Sequence, residues 1–283
     1  MDAGESRAIP AELPTAVAGE PLHSSALSTD HWQALATAVA GSRKKAESLG
    51  DDAVALREWR SGQSAYLLAA CADGAGSAQA GALGSRAAVD AALAECLRQL
   101  QASRDRRRVR ICGAQVAEAA AEAVRAEAQR VGLPPRELAT TLTCVVAGPR
   151  WTWVGQVGDG AAVVKPQRSQ PGDWRVAIWP ERGEYANTTH FLTGLPLQWQ
   201  EATLPRCESL ALLTDGLLPL GLDLAHHSAF VPFFEGMMAE LRRAQPQALL
   251  GPLRSFLASP RVAERTDDDV SLVLALRPPR GLA

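Results

Sequence analysis

Three aspartate-glycine pairs punctuate the chain, at Asp73-Gly74, Asp159-Gly160 and Asp215-Gly216, and each ends an apolar or half-apolar run. A triple aspartate, Asp267-Asp268-Asp269, opens one further run, and Asp51-Asp52 stands at the mouth of an early one. A single Asp-Gly is also the commonest two-residue hairpin turn. Repeated at strand ends, it gains a second reading, because strand pairing would gather the carboxylates on one rim of a sheet. Carboxylates ~4–6 Å apart repel by roughly 1 to 4 kcal/mol per pair, so such a rim needs cations or raised pKa values. All-oxygen ligands without clustered His or Cys suit Mg²⁺ or Mn²⁺ and disfavour Zn²⁺. The glycine after each aspartate lets the backbone approach closely and offer its carbonyl. Two ions sharing Asp73 would hold a bridging water, lower its pKa and present hydroxide in line with a phosphorus atom. The chemistry this implies is phosphomonoester hydrolysis.

The elements that must position these groups are legible around Asp73. The segment YLLAACADGAGSAQAGALG, from Tyr66 to Gly84, runs from an apolar strand through Asp73-Gly74 and a small-residue loop into an Ala-rich helical pattern. Val89, Leu93, Cys96 and Leu100 fall on one stripe of that helix. A second helix is expected from about Ile111 to Arg130, stopped by Gly132 and then by Pro134-Pro135. Upstream, strands are expected within His31 to Ala40 and Ala53 to Trp59, with Gly62-Gln63 turning the chain back into Tyr66 to Ala72. From Leu138 the period becomes two: a hairpin about Pro149-Arg150 joins two strands, and Asp159-Gly160 is expected to turn into a third, AAVVK. Further strands are expected at Trp174 to Trp179, Ser209 to Thr214 and Val270 to Leu276, with helices at Phe230 to Arg243 and Ala248 to Ala258. Strand hairpins without βαβ alternation predict an antiparallel α+β fold.

The bulk properties narrow the class. With 283 residues and 47% hydrophobic content the chain can bury a full core, and one domain is expected over residues 31–283 after a poorly ordered leader over 1–30. The net charge of −2 supplies no general attraction to nucleic acid or anionic membrane. The beginning of the chain lacks a basic stretch followed by an apolar one, and no long apolar run follows, so a soluble, cytoplasmic protein is expected; a monomer is expected as well. Five cysteines, Cys71, Cys96, Cys112, Cys144 and Cys207, form no CxxC pair and read as buried small hydrophobes.

In order, GDDAV from Gly50, ADGAGSA from Ala72, VGDGAA from Val157, GEYANTTHFLT from Gly183, LLTDGL from Leu212 and DDDVSLVLA from Asp267 resemble the motifs of the metal-dependent protein phosphatase 2C family, in particular a bacterial branch. The resemblance spans roughly residues 32–276. It implies a four-layer α/β/β/α sandwich, two antiparallel sheets flanked by helix pairs. It also implies a centre of two Mn²⁺ or Mg²⁺ ions that removes phosphate from Ser and Thr of a phosphoprotein, with a cognate serine/threonine kinase as counterpart. Carried over by motif, Asp73 would bridge the ions, the Gly74 carbonyl would bind one, and Asp215 and Asp268 would hold the other. Asp51 or Asp52 would complete the second site, with Asp52 preferred, and Asp159 would help hold an additional third ion. The catalytic set expected is therefore Asp52, Asp73, Asp215 and Asp268. Arg43, with Lys44 and Lys45 beside it, is the candidate for binding substrate phosphate, Arg being favoured by its bidentate geometry. Where some members have a His two residues after the bridging aspartate, this chain has Ala75, so another group must protonate the leaving oxygen.

Other residues read as structural. His190 lies inside the fourth motif but is expected to be packed, and His226-His227 beside Asp223 is a surface pair without a third ligand. Trp151, Trp153, Trp174 and Trp179 read as sheet packing, and the basic run from Arg104 to Arg110 as a solvated connection. Two rival functions remain open to the residues: a binding module of the same fold without turnover, and a metal-dependent nucleotidase or nuclease, the nuclease being disfavoured by the charge.

Overall fold

The computed structural model describes residues 24–42, 50–103, 109–180 and 189–278. The chain opens with β1 (Ser24–Ser28) and β2 (Gln33–Val39), and continues with β3 (Ala53–Ser61) and β4 (Ser64–Ala72). The turn between β3 and β4 places Gly62 at φ +56°, a conformation that glycine adopts without the Cβ penalty. Two long helices follow, α1 (Gly81–Ala102) and α2 (Gly113–Val131), the second ended by Gly132 in the left-handed conformation at φ +72°. After a 3-10 turn at Pro135–Leu138 come β5 (Leu142–Ala147), β6 (Trp151–Val157), β7 (Ala161–Pro166), β8 (Arg175–Ile178), β9 (Gln200–Pro205) and β10 (Cys207–Leu213). A 3-10 turn at Asp215–Leu217 leads to the short α3 (Leu218–Gly221) and the small hairpin of β11 (Leu222–Asp223) and β12 (Ser228–Ala229). Then α4 (Val231–Arg243), α5 (Pro246–Leu257), the short α6 (Pro260–Ala263) and β13 (Val270–Leu276) complete the described chain.

The strands form two antiparallel sheets, ordered β1-β2-β13-β10-β7-β8 and β3-β4-β5-β6-β9. Three apolar layers hold the sandwich. Val89, Leu93, Cys96, Val116 and Val124 of α1 and α2 pack on Leu68, Ala70, Cys144 and Val146 of the five-stranded sheet. Leu67, Ala69, Cys71, Val145 and Val154 meet Ala36, Val164, Leu210, Leu212 and Val273 between the sheets. Phe234, Met238, Leu241, Leu253 and Leu257 of α4 and α5 cover Leu35, Val163, Ala211, Leu272 and Leu274. Each large aliphatic side chain so buried contributes about 1.5–3 kcal/mol of transfer free energy. The alternation on β4 shows why the layers separate: Leu68 and Ala70 face the helices, Leu67 and Ala69 the opposite sheet. The α/β/β/α sandwich implied by the resemblance is the observed architecture.

Four expectations need correction. Ser24–Ser28, which falls within the expected leader, is a strand that pairs with β2 at the sheet edge; its Ser-rich composition hides it. The strand β9 was not expected, since QEATLP reads as polar, yet its half-buried and exposed residues alternate as on an edge strand that pairs with β6. Asp159-Gly160 is no hairpin turn: β6 belongs to the five-stranded sheet and β7 to the six-stranded one, so the dipeptide carries the chain from one sheet to the other. Cys112 is exposed just before α2, while Cys71, Cys96, Cys144 and Cys207 are buried as expected. Among the described residues no helix is long and apolar enough to cross a membrane.

Candidate metal centre

The ends of β4, β6 and β10 lie at the same edge of the sandwich, and the residues that follow these strands are the aspartates of the three Asp-Gly pairs. Asp73, Asp159 and Asp215 each offer a carboxylate oxygen, and these oxygens lie within 4.8 Å of one another. Asp159 Oδ1 and Asp215 Oδ1 are buried without a hydrogen-bond partner. Buried acceptors left unsatisfied are costly, so this donor set fits a hard divalent cation.

Each aspartate is held by its surroundings. The Asp73 carbonyl accepts the Thr141 N–H at 2.9 Å and the Thr140 hydroxyl at 2.9 Å, and its N–H donates to Thr141 Oγ1 at 3.0 Å. The next residue, Gly74, donates its N–H to the Asp51 carbonyl at 3.2 Å, and a Cβ there would stand 2.5 Å from the backbone of Gly81. The glycine after Asp73 therefore admits the start of α1. At the second dipeptide, Gly158 has φ +98° and the buried Gln156 amide donates to both flanking carbonyls, Gly158 at 3.1 Å and Gly160 at 2.9 Å. The Thr189 hydroxyl donates to Asp159 Oδ2 at 2.8 Å. At the third, a Cβ on Gly216 would lie 2.1 Å from the Asp269 carbonyl oxygen, so only glycine lets Asp215 sit against the start of β13.

The remaining predicted residues divide. Asp268 is exposed on the rim and close enough to raise the pKa of both Asp73 and Asp215. Asp52 is buried beside Asp73, and its Oδ2 accepts the hydroxyls of Ser271 at 2.7 Å and Thr214 at 2.8 Å, while Oδ1 is buried without a partner. Asp51 is tied through its backbone: its N–H donates to Asp269 Oδ2 at 2.5 Å, and its carbonyl accepts the Ser85 hydroxyl at 2.5 Å. The third member of the triple aspartate is thus a clamp, since Asp269 Oδ1 also accepts the Gly41 N–H at 2.8 Å. Arg43, Lys44, Lys45 and residues 183–188 of the fourth motif lie outside the described residues. His226 pairs with Asp223 at 2.8 Å and His227 stacks on Trp179 at 4.7 Å, a surface arrangement as expected.

Electrostatics follow from crowding. Burial raises the Asp52 carboxyl to about 7, with the Asp269 charge adding to the effect and the Ser271 and Thr214 hydroxyls opposing it. Burial likewise raises Asp215 to about 6, reinforced by Asp159 and Asp268. Asp73 is pushed well above the usual carboxylate range by burial and by the charges of Asp52, Asp215 and Asp268. A dication would reverse each of these shifts by favouring the ionised forms.

Sequence reasoning did not single out Gln156, Thr189, Thr214 or Ser271. Thr214 and Ser271 each sit within two or three residues of a predicted ligand, a signal in hindsight, whereas Gln156 and Thr189 depend on the crossing between sheets. Ala75 is buried, 6% exposed, and brings no proton donor to the centre.

Comparison with known proteins agrees with this geometry. The sequence profile described as Protein phosphatase 2C matches residues 41–257. Serine/threonine-protein phosphatase 3 of Escherichia coli (strain K12) is 34% identical over 224 residues, covering 77% of this chain and 87% of the relative. Two solved structures share the fold. The catalytic domain of the serine threonine protein phosphatase PstP in complex with 2 manganese ions is 16% identical, with a TM-score of 0.54, over 88% of this chain and 99% of that one. The serine/threonine phosphatase Stp1 from Staphylococcus aureus is 14% identical, with a TM-score of 0.56, over 86% of this chain and 94% of that one. With a profile over most of its length and a relative of this identity, and with the acidic rim in place, the chain belongs to the protein phosphatase 2C family of metal-dependent serine/threonine phosphatases.

Proposed function

We propose that this phosphatase works from the rim formed by Asp73, Asp159 and Asp215, with Asp268 at its exposed edge and Asp52 behind Asp73. The observation that carries the assignment is the approach of the three carboxylates to within 4.8 Å, with buried oxygens on Asp159 and Asp215 that no protein group satisfies. The ions fitted to this donor set are Mn²⁺ or Mg²⁺, in keeping with the family and with the manganese ions of PstP. When bound they lower the pKa of water and so supply the nucleophile for phosphate-ester hydrolysis. The chain's own part is to fix the geometry: β4, β6 and β10 deliver the carboxylates from rigid strands, and Gly74 and Gly216 let the backbone close behind them.

Asp52 is the inner member of the set. Thr214 and Ser271 satisfy its Oδ2, which leaves Oδ1 as the place for a proton when the cations are absent. No imidazole stands at position 75, so the leaving alkoxide takes its proton from solvent or another acid. Arg43 is retained as the candidate phosphate contact. A monomeric protein acting in the cytoplasm opposite a serine/threonine kinase completes the proposal; light scattering of the purified chain tests the first part.

The deciding experiment compares a phosphopeptide, an aryl phosphomonoester and a phosphodiester with Mn²⁺, Mg²⁺ or chelator. Mn²⁺-dependent monoesterase activity is expected, lost in Asp73→Ala and Asp215→Asn. Unchanged rates in those variants would remove the site assignment, and a preference for the diester would point to a nuclease.

A further inference from the structure

Asp159 differs from the other two members of the triad in how it is held. Asp73 directly follows β4 and Asp215 opens the 3-10 turn after β10, whereas Asp159 sits in the crossing between the sheets, where Gln156 fixes the backbone through the carbonyls on either side of it. That leaves the side-chain torsion to be set separately. The group that sets it comes from 30 residues downstream: the Thr189 hydroxyl donates to Asp159 Oδ2 at 2.8 Å. The segment carrying Thr189 is itself anchored, since Leu192 is buried and its N–H donates to the Thr140 carbonyl at 2.9 Å, beside the Thr140 hydroxyl that holds the Asp73 carbonyl.

We infer that Thr189 is a positioning residue for the cation site of Asp73, Asp159 and Asp215: it occupies Asp159 Oδ2 and thereby leaves Oδ1 as the single oxygen that Asp159 offers a cation. The inference rests on the triad being a metal site, as proposed above. A carboxylate with one oxygen committed to a hydroxyl binds one-pointed and in a fixed orientation. Without the hydroxyl the carboxylate can turn about its last torsion, a broad and nearly two-fold one. Outer partners of this kind typically change metal affinity by about 10- to 100-fold.

The test is calorimetric titration of Mn²⁺ into the metal-free full chain, for wild type and for Thr189→Val, Thr189→Ser and Asp159→Ala. Thr189→Val keeps the shape and removes the donor; it is expected to weaken one class of Mn²⁺ about 10- to 100-fold, leave the other class unchanged, and preserve the metal-free melting temperature. Thr189→Ser restores the wild-type isotherm to within a few-fold. Asp159→Ala weakens the same class, and combining it with Thr189→Val adds nothing further. If Asp159→Ala weakens that class while Thr189→Val leaves it intact, the role of Thr189 is overturned and the triad stands. If Asp159→Ala leaves the isotherm unchanged, the triad falls and the role of Thr189 with it. Equal weakening of every class by Thr189→Val, with a lowered melting temperature, also overturns the inference, because it marks a general structural effect.

Discussion

Ser271 donates its hydroxyl to Asp52 at 2.7 Å across 219 residues of sequence, joining the final strand of the fold to the entrance of β3. The bond lies in the buried layer between the two sheets, and Thr214 reinforces it twice, by its own hydroxyl to Asp52 and by accepting the Ser271 N–H at 2.9 Å. Asp52 is therefore both a predicted catalytic residue and the buried carboxylate that ties three strands of the two sheets together.

Replacing Ser271 by Ala removes one of the two donors to that carboxylate. A hydrogen bond to an ionised group contributes about 1.5–3 kcal/mol, so Ser271→Ala should destabilise the metal-free protein by roughly that amount at pH 8. The Ser271 bond holds the Asp52 pKa down, and its loss raises it further. The variant should consequently lie closer to wild type at pH 5, where Asp52 is protonated in both. Urea unfolding at the two pH values measures the difference, and an equal penalty at both would show that the bond serves packing alone.

Asp215→Asn should separate stability from activity. The carboxylate is raised to about 6 by burial and by Asp159 and Asp268, so at pH 8 without metal its charge is a net cost to the fold. A neutral isostere relieves that cost, by roughly 1–3 kcal/mol on the scale of 1.4 kcal/mol per pKa unit. Mn²⁺-dependent hydrolysis should meanwhile fall by more than ~100-fold, beyond what loss of an outer partner produces. Thermal unfolding with EDTA and a phosphatase assay with Mn²⁺ are the two readings; a variant that is inactive and also less stable without metal would contradict the repulsion argument.

The way these residues are placed explains what the sequence could disclose. Asp73 was readable because an apolar strand and an Ala-rich helix on either side leave few conformations for the dipeptide between them, and both are local signals. Asp215 was readable for the same reason, just after the apolar run Leu210 to Leu213 that ends β10. Asp159 was assigned to the right rim but to the wrong connection, because Asp-Gly after a strand fits a hairpin and a sheet crossing equally well; only the pairing of β7 with β10 decides. The clamp made by Asp269 was hidden inside a run of three identical residues, of which Asp268 is exposed and Asp269 buried. Gln156, Thr189 and Ser271 act across sheets or loops, and no periodicity announces such contacts. The polar edge strands β1 and β9 were missed because one face of an edge strand is left to solvent and its pattern resembles a loop.

The raised carboxyls set a pH dependence with a definite sign. Asp52 moves from 3.8 to about 7 and Asp215 from 3.8 to about 6 on folding, so between pH 4 and 7 the native state binds more protons than the unfolded one. Stability then falls as pH rises through that window, by up to about 1.4 kcal/mol per pH unit for each group. The metal-free protein should be more stable at pH 5 than at pH 7.5, and Mn²⁺, which competes with those protons, should raise the melting temperature little at pH 5 and increasingly towards pH 8. Differential scanning calorimetry with and without Mn²⁺ tests both, and in an Asp52→Asn/Asp215→Asn double variant the metal-free slope should become shallower, with the buried Asp73 carrying what remains. A metal-free melting temperature that climbs from pH 5 to 7.5 would refute the crowding argument.

Two glycines near Asp73 should respond very differently to the same substitution. In α1, a Cβ on Gly84 would lie 2.1 Å from the Leu138 carbonyl oxygen, a backbone atom that cannot turn aside. Gly84→Ala must push α1 away from the segment that continues into Thr140 and Thr141, the two residues that hold Asp73. The cost should be about 1–3 kcal/mol or more, the range of overpacked cores, with weaker Mn²⁺ binding because the Asp73 backbone loses its support. Gly76, in the loop that follows Asp73, has nothing within 4 Å of the place a Cβ would take and is exposed. Gly76→Ala should therefore change stability by less than about 0.5 kcal/mol, as for an ordinary surface substitution, and leave Mn²⁺ binding unaltered. Urea unfolding and calorimetric titration of the pair decide the matter: equal effects at both positions would mean that glycine is required here for loop freedom, whereas a loss confined to Gly84→Ala shows that the contact between α1 and Leu138 holds the metal rim in place.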